Sequence, residues 1–145
     1  AVRAYAPVAE HAEAAGVQIA FDKITTTPNT FNAHRLIYWA GIEGCQTPVV
    51  SGLFSAYFKA GEDVGELSVL AKVAERAGMD GSLAQKLLLS DADTEVVSQR
   101  EEAGRHMGIT SVPTFIIAKQ HVVQGAQQPD LWRRAIDDLA AVAQS

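Results

Sequence analysis

The stretch that decides the fold is GITSVPTFII at residues 108–117, where a proline turn leads into an apolar run. Proline has no N–H for a sheet ladder, so Pro113 is expected at a strand entrance rather than inside a strand. Residues 114–117 therefore predict a buried strand, and residues 121–123 predict a second. Only residues 118–120 separate these runs, which favours a β-hairpin.

On both sides of the hairpin the patterns predict helices. A last amphipathic helix starts at Gln128-Pro129 and should place Trp132 against Phe115. Residues 31–43 are apolar nearly all round, which is typical of a buried helix, and Gly44 ends it. The other predicted elements are a helix over 4–15, an extended segment over 17–24, a helix behind a Thr47-Pro48 cap, a helix opened by an Asp63/Glu66 capping box, a helix over 83–89 and a helix from a Ser90-Asp91 cap to residue 107.

The sequence has no internal repeat and no linker. We therefore expect one compact unit with two regions, a mostly helical region over 1–108 and a strand–strand–helix region over 109–145. Such a chain is a helix-dominated α/β protein.

Composition excludes several classes of function. The chain has 145 residues, a net charge of −5 and 48% hydrophobic residues, so it can bury a core and lacks the positive surface that nucleic acid requires. No apolar run is long enough for a membrane span, and no signal peptide is recognisable, which by itself says little about the compartment. We expect a cytoplasmic protein that binds neither membrane nor nucleic acid. Cys45 is the single cysteine, which excludes an internal disulfide. The histidines lack ligand spacing, so neither a metal nor another cofactor is expected.

Four segments occur in the order of one known family. They are Asn29-Thr30 with 33–36, Leu53-Phe54 with 56–58, residues 108–115, and residues 125–129. Together they resemble the DsbA/FrnE-like thiol–disulfide oxidoreductases, which have a thioredoxin-like fold with an inserted helical domain. The resemblance covers nearly all of residues 10–140 and implies an oxidoreductase that catalyses disulfide exchange, with a cis peptide bond before Pro113.

One part of the family pattern is missing. Family members carry a CxxC pair at a helix N-terminus, where the helix dipole lowers the pKa of the attacking thiol. The N-terminal strand–helix–strand unit that carries this pair has no counterpart here, so we expect a truncated member without a catalytic residue of its own. Cys45 has no resolving partner and is expected to be structural.

The resemblance also implies where the site lies. Val112, Pro113 and Thr114 form the loop that faces the active-site cysteines and binds an extended substrate. Asn29, His34, Arg35 and Gln127 are candidates for the border of the cleft, although a buried histidine or arginine and a simple turn at 125–127 are open alternatives.

Two other functions stay open at this point: a glutathione-dependent isomerase or transferase of the kappa-like branch, and a non-catalytic helical binding module. For the main hypothesis the partners are protein or small-molecule thiols and disulfides. A strand left without its neighbour is an exposed edge, so we also expect a homo-oligomer.

Overall fold

A computed structural model describes residues 5–144 and divides the chain into two compact units, one up to Ser98 and one from Gln99. Residues 1–4 and 145, which the predicted regions and the first predicted helix partly include, lie outside the described residues. The elements in chain order are α1 (Ala6–Ala14), α2 (Phe31–Glu43), α3 (Gln46–Phe54), a π-helical turn (Ser55–Lys59), α4 (Leu67–Arg76), α5 (Gly81–Leu89), α6 (Thr94–His106), β1 (Thr114–Ile117), β2 (His121–Gln124) and α7 (Pro129–Ala143).

The first unit is built around α2. This helix is buried through Ala33, Leu36, Trp39 and Ala40, and packs against α3, α4 and α5. Gly44 takes the left-handed conformation at φ 77° and ends the helix, as predicted. The core continues through residues on the neighbouring helices: Val49, Leu53, Leu70, Val73, Ala74, Ala84 and Leu88.

In the second unit, β1 and β2 form the antiparallel hairpin that the sequence predicts, with Phe115 opposite Val123 and Ile117 opposite His121. The side chain of Trp132 on α7 meets Phe115 edge-on, with 4.7 Å between ring centroids. This aromatic pair fixes α7 on one face of the hairpin, as predicted.

The prediction that β1 is buried is wrong. Phe115 and Ile116 are 41% and 45% exposed. The sheet described within residues 5–144 consists of β1 and β2 alone, and side chains of a strand alternate between two faces. Packing from α7 therefore reaches Phe115 but not Ile116 on the opposite face.

Three predicted helix starts and one predicted strand also need correction. Cys45, not Thr47, is the N-cap residue of α3. Asp63 accepts a hydrogen bond from the Gly65 amide at 2.7 Å, so it closes a local turn, and α4 begins only at Leu67. Short polar side chains form such turns as readily as helix caps, which is why spacing alone misplaces them. Similarly, α6 begins at Thr94 behind a turn over 91–93. Residues 17–24 form irregular backbone and a turn rather than a strand.

Candidate functional site

The turn before β1 is the best-defined candidate site in the second unit. The peptide bond between Val112 and Pro113 is cis, and the Val112 residue is 90% exposed. Two hydrogen bonds hold the turn, from the Thr114 hydroxyl to the Ser111 carbonyl at 2.7 Å and from the Gly125 amide to the Pro113 carbonyl at 2.7 Å. The turn is thus held on both sides of Val112, while Val112 itself faces solvent.

Gln127 lies beside this turn. Its side-chain amide donates to the Gln124 carbonyl at 2.9 Å, and Gln124 is the register partner of Thr114. The structure therefore brings together Pro113, Thr114 and Gln127, three of the residues that the sequence singles out. The hydrogen bond also shows that Gln127 stabilises the turn after β2.

Asn29, His34 and Arg35 belong to the first unit, at or near the start of α2. The Asn29 side chain accepts a hydrogen bond from the Phe31 amide at 3.0 Å and so forms a local turn immediately before α2, whose N-cap residue is Thr30. The His34 ring pairs with the Thr30 carbonyl through Nδ1 at 2.8 Å. Because a carbonyl can only accept, Nδ1 carries the proton, and Nε2 is left as the ring's hydrogen-bond acceptor in the neutral form.

His34 lies on the wall of an apolar groove of about 410 Å³. The groove runs between the start of α2, the α3 helix and the π-helical turn, and its lining residues are Thr27, Pro28, Thr30, Ala33, His34, Ile37, Val50, Leu53, Phe54, Tyr57, Phe58 and Val64. Burial raises the pKa of Tyr57 above its usual value, with a further contribution from a hydrogen bond with Tyr5. The phenol of Tyr57 is therefore uncharged at neutral pH.

Sequence reasoning missed the aromatic part of this groove. Phe54, Tyr57 and Phe58 have the i, i+3, i+4 spacing of a helical core stripe, and the sequence predicts no role in a site for them. In the structure Phe54 is 61% exposed, and Tyr57 and Phe58 lie within the π-helical turn, where the regular α-helical spacing is interrupted. An aromatic stripe that crosses a π-helical turn gives no sequence signal that separates it from an ordinary core helix.

Arg35 is the one charged residue that the structure buries among the described residues, and it is only 2% exposed. Its guanidinium donates to four backbone carbonyls in the segment that follows α5, those of Leu87, Leu88, Ser90 and Ala92, at 2.7–3.1 Å, and to the Asn32 side chain at 3.0 Å. Burial lowers the pKa of Arg35, opposed by the nearby carboxylates of Asp93 and Asp91. With its N–H groups used in this way, Arg35 holds the backbone that connects α5 to α6.

Cys45 is half-buried and free, at the N-terminus of α3. Within residues 5–144 there is no group of three or more histidine, cysteine, aspartate or glutamate residues that could hold a metal ion. In the same part of the chain, no helix has the length and apolar character needed to cross a membrane.

Comparison with known proteins identifies the family. A family model described as DSBA-like thioredoxin domain matches residues 5–137. The chain is also 31% identical over 128 residues to a Bacillus subtilis (strain 168) protein, Uncharacterized protein YwbO. This match covers 88% of the chain and 64% of the relative, so the chain spans less than two thirds of that protein's length.

The chain belongs to the DSBA-like thioredoxin domain family. Membership confirms the predicted DsbA-like family and the predicted helix-dominated α/β fold. The family match includes both the α2 region and the turn at 111–114, the two places where the candidate site residues lie.

Proposed function

We propose that the chain takes part in thiol–disulfide exchange and that its turn at residues 111–114 binds an extended substrate strand. The observation that carries this proposal is the exposure of Val112 and of its backbone N–H and C=O groups. The residue is 90% exposed, and its backbone N–H and C=O have no hydrogen-bond partner among the described residues. Free backbone groups on a held turn are suited to pair with an extended peptide as one strand pairs with another.

Strand-like pairing explains how such a turn accepts many substrates. The hydrogen bonds are made by the substrate's backbone, so affinity depends little on its side chains. The proposed substrates are cysteine-containing polypeptides or small-molecule disulfides. We also propose that the protein acts in the cytoplasm.

Complete turnover requires two thiols, because the second thiol must release the mixed disulfide that the first one forms. These 145 residues contain only Cys45. The redox pair must therefore be supplied by another polypeptide segment or protein, and the role of this chain is to hold the substrate.

Amide chemical shifts can test the binding step directly. An extended peptide with an alkylated cysteine is titrated into the ¹⁵N-labelled chain, and the amides of Ser111, Val112 and Thr114 are expected to shift. Replacing Val112→Pro removes the N–H and should abolish these shifts. The matched control Val112→Ala keeps the backbone and should preserve them.

Two outcomes would contradict the proposal. The first is that the Val112→Pro variant still binds the peptide, in a protein whose Phe115–Trp132 contact shows that the hairpin is still folded. The second is that glutathione, but not the peptide, shifts the same amides, which would favour the kappa-like alternative.

A further inference from the structure

The groove on the first unit is a second candidate binding site, defined by its own lining residues. Its volume of about 410 Å³ lies within the roughly 300–1,000 Å³ range of small-molecule sites. Both the groove and all of its lining residues belong to the unit that ends at Ser98. It can therefore be described without reference to the hairpin.

The charge of the lining restricts the ligand. Among residues 5–144, no aspartate, glutamate, lysine or arginine lines the groove, and burial raises the pKa of Tyr57, which favours its uncharged form. Transferring an ionised group into such surroundings without an opposite charge is costly. Charge complementarity thus favours a neutral ligand.

The shape and polarity of the walls restrict the ligand further. Phe58 lies between two aromatic neighbours, with ring centroids 4.8 Å from Tyr57 and 6.0 Å from Phe54. Aromatic walls of this kind bind flat rings by stacked and edge-on contacts. His34 adds a directional group, because its Nδ1 is used by the Thr30 carbonyl and its Nε2 can accept a hydrogen bond.

We propose that this groove binds a neutral aromatic molecule that carries a hydroxyl group, with His34 as the acceptor of the hydroxyl proton. The aromatic residues Phe54, Tyr57 and Phe58 bind the ring, and Ile37 and Leu53 form the apolar floor.

Three probes built on one ring system separate the parts of this proposal. They are 2-naphthol, naphthalene and 2-naphthoate, whose fluorescence is followed as each is titrated with the full chain at pH 8. We expect 2-naphthol to bind about fivefold more tightly than naphthalene, the effect of one hydrogen bond. The charged 2-naphthoate should bind more weakly than naphthalene.

Variants identify the residues responsible. His34→Ala should reduce 2-naphthol binding to the level of naphthalene and leave naphthalene unchanged. Phe54→Ser should weaken both by about tenfold, because it removes apolar contact area from the wall. Ile42→Ala is the matched control, since Ile42 is 69% exposed on α2 and is not among the groove residues.

The proposal is overturned if none of the probes binds, if 2-naphthol and naphthalene bind equally well, or if His34→Ala weakens both to the same extent. It is also overturned if Phe54→Ser lowers the sedimentation coefficient of the chain without changing probe binding. That result would make the groove an interface between copies of this chain.

Discussion

Replacing Arg35 with methionine should destabilise the first unit strongly. Methionine keeps much of the apolar stem but removes every N–H group of the guanidinium. The carbonyls of Leu88, Ser90 and Ala92 would then lose the single hydrogen-bond partner that the described structure gives each of them. The Leu87 carbonyl would keep the Ser90 amide and hydroxyl, at 3.1 and 2.7 Å.

The size of the effect follows from these three carbonyls. A buried polar group that loses its partner costs about 1–3 kcal/mol, and breaking a buried charged network typically costs about 3–5 kcal/mol. Because solvent and local relaxation will satisfy part of the loss, we expect a decrease of about 3–4 kcal/mol in the free energy of unfolding. This is a large part of the roughly 5–15 kcal/mol that stabilises a typical domain.

Urea denaturation followed by tryptophan fluorescence provides the measurement. Trp39 is a local reporter because Arg35 lies 5.2 Å from its ring centroid, and its indole N–H donates to Asp93 at 2.9 Å. The experiment is best made in a Trp132→Phe background, which leaves Trp39 as the only tryptophan. The midpoint should fall at an unchanged slope if stability alone has changed.

Two control variants separate the loss of the Arg35 hydrogen bonds from the loss of a positive charge. Arg35→Lys keeps the charge but cannot reproduce the planar set of donors, so it should lose about 2 kcal/mol or more. Arg105→Met removes an exposed ion pair with Glu101, formed at 3.2 Å with both side chains more than half exposed, and should change stability by less than about 0.5 kcal/mol. If Arg35→Met is no more harmful than Arg105→Met, the assignment of Arg35 as the anchor of the α5–α6 connection is wrong.

Four further outcomes are expected. In urea denaturation, Gly61→Ala should lower the free energy of unfolding more than Gly16→Ala. Both glycines have φ 69°, but only at Gly61 would an added Cβ meet backbone, the Lys23 carbonyl oxygen at 2.7 Å. Equal losses in the two variants would contradict this reasoning. The contribution of Tyr57 to the free energy of unfolding should be fully present below about pH 10 and should be lost as the pH rises through the raised pKa of Tyr57. In urea denaturation at a series of alkaline pH values, Tyr57→Phe should therefore show a smaller decline in stability than the unchanged chain. The chain alone should not reduce insulin catalytically, and a turnover that Cys45→Ser abolishes would refute the assignment of Cys45 as structural. We propose that the chain self-associates through the edge of β1 that has no partner strand within residues 5–144. Sedimentation should reveal this self-association, and a strictly monomeric chain at high concentration would exclude it.

Local patterns in the sequence determined the main elements of the fold. The proline turn, the two short apolar runs and the residues 118–120 between them were enough to predict the hairpin, because strand pairing across a short loop depends on neighbouring residues. Gly44 ended α2 where expected for the same reason, since only a left-handed residue was needed there. The order of four motifs was enough to predict the family.

The sequence did not indicate the type of the turn between β1 and β2. Ala118 and Lys119 both have positive φ, at 52° and 59°, and the Gln120 amide bonds to the Ile117 carbonyl at 3.1 Å. This is the turn that Asn-Gly ordinarily makes, and neither alanine nor lysine indicates it. The pairing of β1 with β2 imposes the conformation on residues that do not favour it.

Tertiary structure alone decided the role of each polar residue near the candidate site. His34 and Arg35 are adjacent in sequence and looked equivalent, yet one lies exposed on a groove and the other is buried against the carbonyls that follow α5. Successive residues on a helix point about 100° apart, so their surroundings depend on which other helices pack on each side. Those contacts join residues more than fifty positions apart, such as Arg35 and Ala92, and no pattern within one helix encodes them.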